Sequence, residues 1–128
     1  MEFIRFNANP KGRKTGDCVV RAICTALNES WEDTYRGMLD VALETGYAIS
    51  CKDNFAEYLR RKGYDKQKMP KKPSGKKYTI REFCDELAKP KYTYIINIAN
   101  HVTVVRNKNV YDLWDCSGKS VLNYWIIK

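Results

Sequence analysis

Histidine is almost missing from this chain: His101 is the only one in 128 residues. A zinc site would therefore depend on cysteine. The five present (Cys18, Cys24, Cys51, Cys84 and Cys116) include no Cys-x-x-Cys pair, and an odd number cannot all pair within one chain. No metal, cofactor or disulfide framework is expected, and most of the thiols read as small buried apolar groups. Long apolar runs are also lacking, which leaves no candidate membrane span. The opening Met1-Glu2-Phe3-Ile4-Arg5 does not have the layout of a signal peptide, so a cytoplasmic protein is expected. There is no internal repeat and no low-complexity tail. What is present suits one domain over residues 1–128: 44% hydrophobic and 12% aromatic residues are enough for a core without a covalent staple.

The formal net charge of +8 is local. Residues 60–77 carry Arg60, Arg61, Lys62, Lys66, Lys68, Lys71, Lys72, Lys76 and Lys77 against the single acid Asp65, and elsewhere bases and acids cancel. With Pro70, Pro73, Ser74 and Gly75, this stretch reads as a mobile, solvated loop between helices. Its functional alternative is a docking surface, with Lys71, Lys72, Lys76 and Lys77 facing an acidic protein or nucleic acid.

Apolar spacing separates two halves. Val19, Val20, Ala22, Ile23, Ala26 and Leu27 predict a buried helix starting at Cys18, with Asp17 as its cap or the residue just before it. Ser30 opens a second helix that stops by Gly46, and a third covers 54–62 before Gly63. Thr79-Ile80-Arg81-Glu82 is a capping-box signature for a fourth helix, closed by Pro90. Residues 92–99, 101–106, 109–115 and 121–127 are then short, β-branched and aromatic, the grammar of strands, while Phe3–Phe6 reads as a weak edge strand. The expected fold is α+β, with N-terminal helices packed on a C-terminal antiparallel sheet.

Among the thiols Cys18 is singled out by position. At the start of a helix the unpaired N–H groups and the positive end of the dipole stabilise a thiolate. A nucleophilic cysteine also needs a base, and His101, heading the strand His101-Val102-Thr103-Val104-Val105-Arg106, is the only imidazole on offer. A carboxylate to orient it depends on the next hairpin. A three-residue turn at 107–109 places Asp115 opposite His101. A two-residue turn at Asn107-Lys108 places Trp114 there instead, with Asp112 as the diagonal neighbour on the same face. Arg21, one turn beyond Cys18, is expected to pair with Asp17, Asp115 or a substrate carboxylate, a structural ion pair being the favoured reading. Cys24 is expected in the core, and Cys116 on the far side of the strand from Asp115.

The segments GDCVVRAICTAL and HVTVVRNKNVYDLWDCSG, in that order, resemble the papain-like cysteine peptidases. Gly16-Asp17-Cys18 with Arg21-Ala22, Tyr78-Thr79, Asn100-His101 and Trp114-Asp115 are more closely similar to a group of small proteins of Gram-positive bacteria and their phages. The resemblance covers almost the whole chain through short motifs. It implies a papain-like fold and a thiol peptidase or amidase, with Cys18 as nucleophile, His101 as base and Asp115 as orienter, acting on a peptide, isopeptide or amide bond. The family's usual glutamine, six residues before the nucleophile, is Gly12 here, and the tryptophan that often follows the cysteine is Val19. The oxyanion donors implied are then the Cys18 N–H and one of Asn7, Asn9, Thr15 and Asn100.

Overall fold

The apolar spacing is realised as three helices on one face of a five-stranded sheet. The computed structural model describes residues 1–128, in which β1 (Phe3–Arg5) precedes α1 (Cys18–Leu27), α2 (Trp31–Thr45) and α3 (Lys52–Arg61). The Ser30 hydroxyl accepts from Asp33 N–H at 3.0 Å and starts α2, and Gly46, at φ 84°, ends it in the left-handed conformation that glycine adopts without steric cost. No helix is long and apolar enough to cross a membrane.

After α3 the basic segment is pinned rather than free. Gln67 N–H donates to the Tyr124 carbonyl at 2.7 Å, and Lys71 bridges to Lys77 across a turn at Gly75. The capping box at Thr79 and Glu82 forms as expected, but the helix behind it is short: α4 (Ile80–Glu82) runs directly into a π-helical turn, Phe83–Leu87, where Ala88 N–H bonds back to Phe83.

The sheet comprises β1, β2 (Thr93–Ile98), β3 (His101–Arg106), β4 (Asn109–Asp112) and β5 (Asn123–Ile127), in the order β1-β4-β3-β2-β5. The expected antiparallel sheet is in fact mixed, because β1 lies parallel to β4. Alternation along β2 and β3 feeds two cores. Ile95, Val102 and Val104 face α1–α3 together with Trp125, whereas Ile96, Ile98 and Val105 meet Phe83, Cys84 and Tyr94 on the other face. Strands covered on both faces need side chains that are apolar almost throughout, which is why β2 reads Thr-Tyr-Ile-Ile-Asn-Ile.

Two details of the sheet position the site. The β3–β4 turn has two residues, Asn107 (φ 49°) and Lys108 (φ 63°), both left-handed, and this matches the strand twist. The ladder pairs Arg106 with Asn109, Val105 with Val110 and Val104 with Tyr111, then stops. His101–Thr103 and Asp112 are left without backbone pairing to each other, and the N-terminal turn of α1 reaches in between these strand ends.

Gly37 marks the tightest approach among the helices: a Cβ there would lie 2.6 Å from the buried Tyr58 ring, whose hydroxyl donates to Glu29 at 2.8 Å. Alanine gains about 1 kcal/mol of helix propensity, while overpacking a fixed ring costs about 1–3 kcal/mol. Gly37→Ala is expected to lower the urea midpoint, and Gly37→Ala with Tyr58→Phe to recover only part of it, since the ring carbon at 2.6 Å remains when the hydroxyl at 3.1 Å is removed.

Candidate active site

Asp17 stands at the N-cap of α1, but its side chain makes no capping hydrogen bond. Its carboxylate is engaged elsewhere: Oδ2 accepts from Trp31 Nε1 at 3.0 Å and Asn9 Nδ2 at 3.1 Å, and Oδ1 accepts from Arg21 Nε at 2.9 Å. The first N–H groups of α1, that of Cys18 included, are therefore not consumed by the cap and point out of the helix end. Arg21 is itself only 8% exposed and continues inward, its Nη1 donating to Asp112 Oδ1 at 3.1 Å. The expected ion pair of Arg21 with Asp17 is present, and its second partner is Asp112, not Asp115.

Asp112 is 2% exposed and accepts from His101 Nε2 at 2.6 Å and from its neighbour's Leu113 N–H at 2.7 Å. With Nε2 committed to the carboxylate, Nδ1 is the ring nitrogen left for Cys18. Burial alone raises a thiol's pKa. At Cys18 this is outweighed by hydrogen bonding to His101, by the Val102 backbone N–H, and by the charges of His101 and Arg21, so the thiol lies below its ordinary value. Cys24 and Cys84 move the opposite way, burial carrying Cys84 up to about 12. For His101 burial opposes the charged ring, yet hydrogen bonds to Asp112, Cys116 and Cys18 prevail and raise it to about 11. The two directions are complementary, one favouring the thiolate and the other the imidazolium. Trp114 packs beside the imidazole, ring centroids 5.0 Å apart and planes inclined by 46°.

The structure thus brings Cys18, His101 and Asp112 together and leaves Asp115 out. Asp115 is exposed at a turn, where its carboxylate accepts from Ser117 N–H at 3.0 Å. The two-residue turn is the reason, since it puts Trp114 opposite His101. Cys116 does point away from the exposed Asp115, but it is Cys116 that is turned toward His101 and Asp112. β4 ends at Asp112 and the chain bends through Leu113 and Trp114, so strand alternation does not extend that far. Its buried sulfur lies 3.7 Å from Asp112 Oδ2, on the same side as the imidazole. His101, Asp112 and Cys116 form a compact donor set, with ligand atoms within 4.8 Å of one another. Asp112 Oδ1 accepts from Arg21 and Oδ2 from His101.

The oxyanion candidates fare unevenly. Asn7 Nδ2 donates to the Arg13 carbonyl at 3.2 Å and Asn9 Nδ2 to Asp17, so both amides hold the loop before α1 together. Thr15 and Asn100 are exposed, Asn100 at φ 55° in the β2–β3 turn. Of the proposed docking lysines, Lys72 is tied to Glu82 and lies over the Tyr78 ring, whereas Lys71, Lys76 and Lys77 are exposed without an acidic partner. Within the same basic stretch Arg60 and Arg61 pair with Glu57 and Glu44, and Lys62 pairs with Glu29.

Two outcomes follow. Carbamidomethylation of Cys18 is expected to continue below the pH at which an ordinary thiol protonates, and His101→Ala is expected to move that profile upward; intact-protein mass against pH reads both. Asp112 is held below its ordinary carboxylate value, with burial opposing and His101 the main favourable partner. The stability contributed by its ionised form is then present above the unfolded carboxylate pKa of about 4 and lost as pH falls through the lower folded value. Asp112→Asn is expected to cost about 3–5 kcal/mol by removing the carboxylate shared by Arg21 and His101, Arg21 keeping only Asp17, and to flatten the acid limb of urea stability against pH.

No protein-family model matches this chain, and no match is found among curated proteins or solved structures.

Proposed function

We propose that the protein is a papain-like thiol hydrolase, a peptidase or amidase acting on a peptide, isopeptide or amide bond. The observation that carries this reading is the row Cys18, His101, Asp112 at the open end of α1, with the thiol lowered and the imidazole raised. The order of the parts, a cysteine-headed buried helix followed by a histidine-headed strand in a sheet, supports the papain-like relationship.

In this mechanism the Cys18 thiolate attacks the carbonyl carbon, and the oxyanion that forms is met by the Cys18 N–H at the helix end. The C–N bond breaks as the His101 imidazolium gives its proton to the leaving amine. Water then attacks the thioester, His101 takes its proton, and the acid product leaves with the thiolate restored. Asp112 holds the ring in place and stabilises its positive charge, in the role the sequence had offered first to Asp115.

A fluorogenic peptide-amide panel tests the proposal. Turnover is expected with the native chain, to be abolished in Cys18→Ala, to fall by about 10²–10⁴ in His101→Ala, and to survive in Asp115→Asn. Turnover that persists in Cys18→Ala would overturn it, as would equal alkylation rates at Cys18 and Cys84 near neutral pH.

A second reading, docking of an acidic protein or nucleic acid, is favoured by the bridged turn that presents Lys71, Lys76 and Lys77 without acidic partners. Under it, replacing these three by Glu abolishes binding of a polyanion and Cys18→Ala does not, with affinity falling steeply as salt rises.

A further inference from the structure

A cleft of about 640 Å³ opens on the helical side of α1. It lies within the range of about 300–1,000 Å³ usual for ligand sites. One edge is formed by Gly16 and Asp17, the two residues before Cys18, while Cys18 itself lines a separate narrow pocket with Val102 and Asp112. Its apolar wall is a pair of stacked rings, Trp31 and Tyr35, with centroids 5.1 Å apart and planes inclined by 22°. The Trp31 indole N–H is already given to Asp17, so the ring presents its apolar surface to the cleft, and Tyr35 is 39% exposed beside it.

Another part of the lining is basic. Lys11 and Arg13 line the cleft and Lys14 follows; all three are exposed, and none makes a salt bridge. Of the two acids lining the cleft, Asp17 is neutralised by Arg21, and Glu32 alone remains against the two lining bases, Lys11 and Arg13. An occupant that matches this surface brings negative charge to the Lys11–Lys14 rim and a flat apolar group to Trp31 and Tyr35.

We infer that this cleft binds an acidic peptide segment through an aromatic side chain laid on Trp31 and Tyr35 and a carboxylate held by Lys11 and Arg13. Its assignment as the substrate site rests on the hydrolase reading above; its capacity to bind does not. A peptide is favoured over a nucleic acid because Glu32 stands inside the cleft, where a phosphate backbone would meet it. A peptide can set one acidic side chain on the bases and a neutral residue beside Glu32.

The test uses the full-length Cys18→Ala chain, so that binding is read without turnover. Two blocked octapeptides are titrated, one with Asp and Glu flanking a Phe, the other with Lys in place of the acids, and the Trp31 indole and Gly16 amide resonances are followed. The acidic peptide is expected to bind and to move both signals, and the Lys peptide is not. Arg13→Glu, an exposed change, is expected to weaken binding roughly tenfold or more by adding repulsion to the lost contact. Tyr35→Ser is expected to weaken it independently. Equal binding of the two peptides would overturn the inference, as would shifts confined to Trp114, or tighter binding of oligothymidylate at the same resonances. The native chain and the amide of the acidic peptide then separate the two proposals. Binding without cleavage sinks the hydrolase and leaves the cleft; cleavage without shifts at Trp31 and Gly16 sinks the cleft and leaves the hydrolase.

Discussion

The Arg21 guanidinium joins the two halves of this protein. It leaves α1, is buried to 8% exposure, and spans from Asp17 at the head of its own helix to Asp112 at the end of β4. Charges alternate along the resulting row: Asp17, Arg21, Asp112, His101 and finally the Cys18 thiol. A buried charge is costly unless its neighbours compensate it, and here each member compensates the next. The arrangement sets the orientation of the helix relative to the sheet as well as the protonation of the ring.

Its placement follows from backbone pairing that stops early. Had β3 and β4 continued their ladder beyond Val104 and Tyr111, their edges would be satisfied by each other and closed to the helix. Because pairing ends there, Val102 N–H is free to meet Cys18, and beside it the Asp112 side chain accepts from Arg21. Phe6 N–H takes the Asp112 carbonyl at 2.9 Å and holds the strand end from its outer side. The same economy appears at Asp17. By declining to cap α1, its side chain leaves the helix N–H groups available beside the sulfur and ties Trp31, and with it α2, to the back of the site.

Asn9 and Trp31 illustrate how a supporting shell differs from the chemistry that sequence spacing brings forward. Neither carries a motif for this role, Asn9 being expected as an oxyanion donor instead; the N–H groups of both converge on one carboxylate oxygen. Trp114 is intermediate. The two-residue reading of the 107–108 turn placed it opposite His101, and the 5.0 Å separation of the rings matches that register. Cys116 lay outside what strand alternation can describe, because alternation ends where the chain bends.

The amino-acid sequence by itself determined the element types: helices by apolar spacing and caps, strands by β-branched runs. It also singled out Cys18 and His101, because helix-start position and the presence of a lone imidazole are local facts. Choosing between Asp112 and Asp115 was left to the tertiary structure. That choice turns on whether Lys108 joins Asn107 in the left-handed region, a conformation costly for a lysine alone and settled here by a hairpin whose far end is held by Arg21, 91 residues away in sequence from Asp112. The parallel docking of β1 and the cleft beside Gly16 were decided in the same way, by contacts between segments far apart in the chain, which local spacing does not encode.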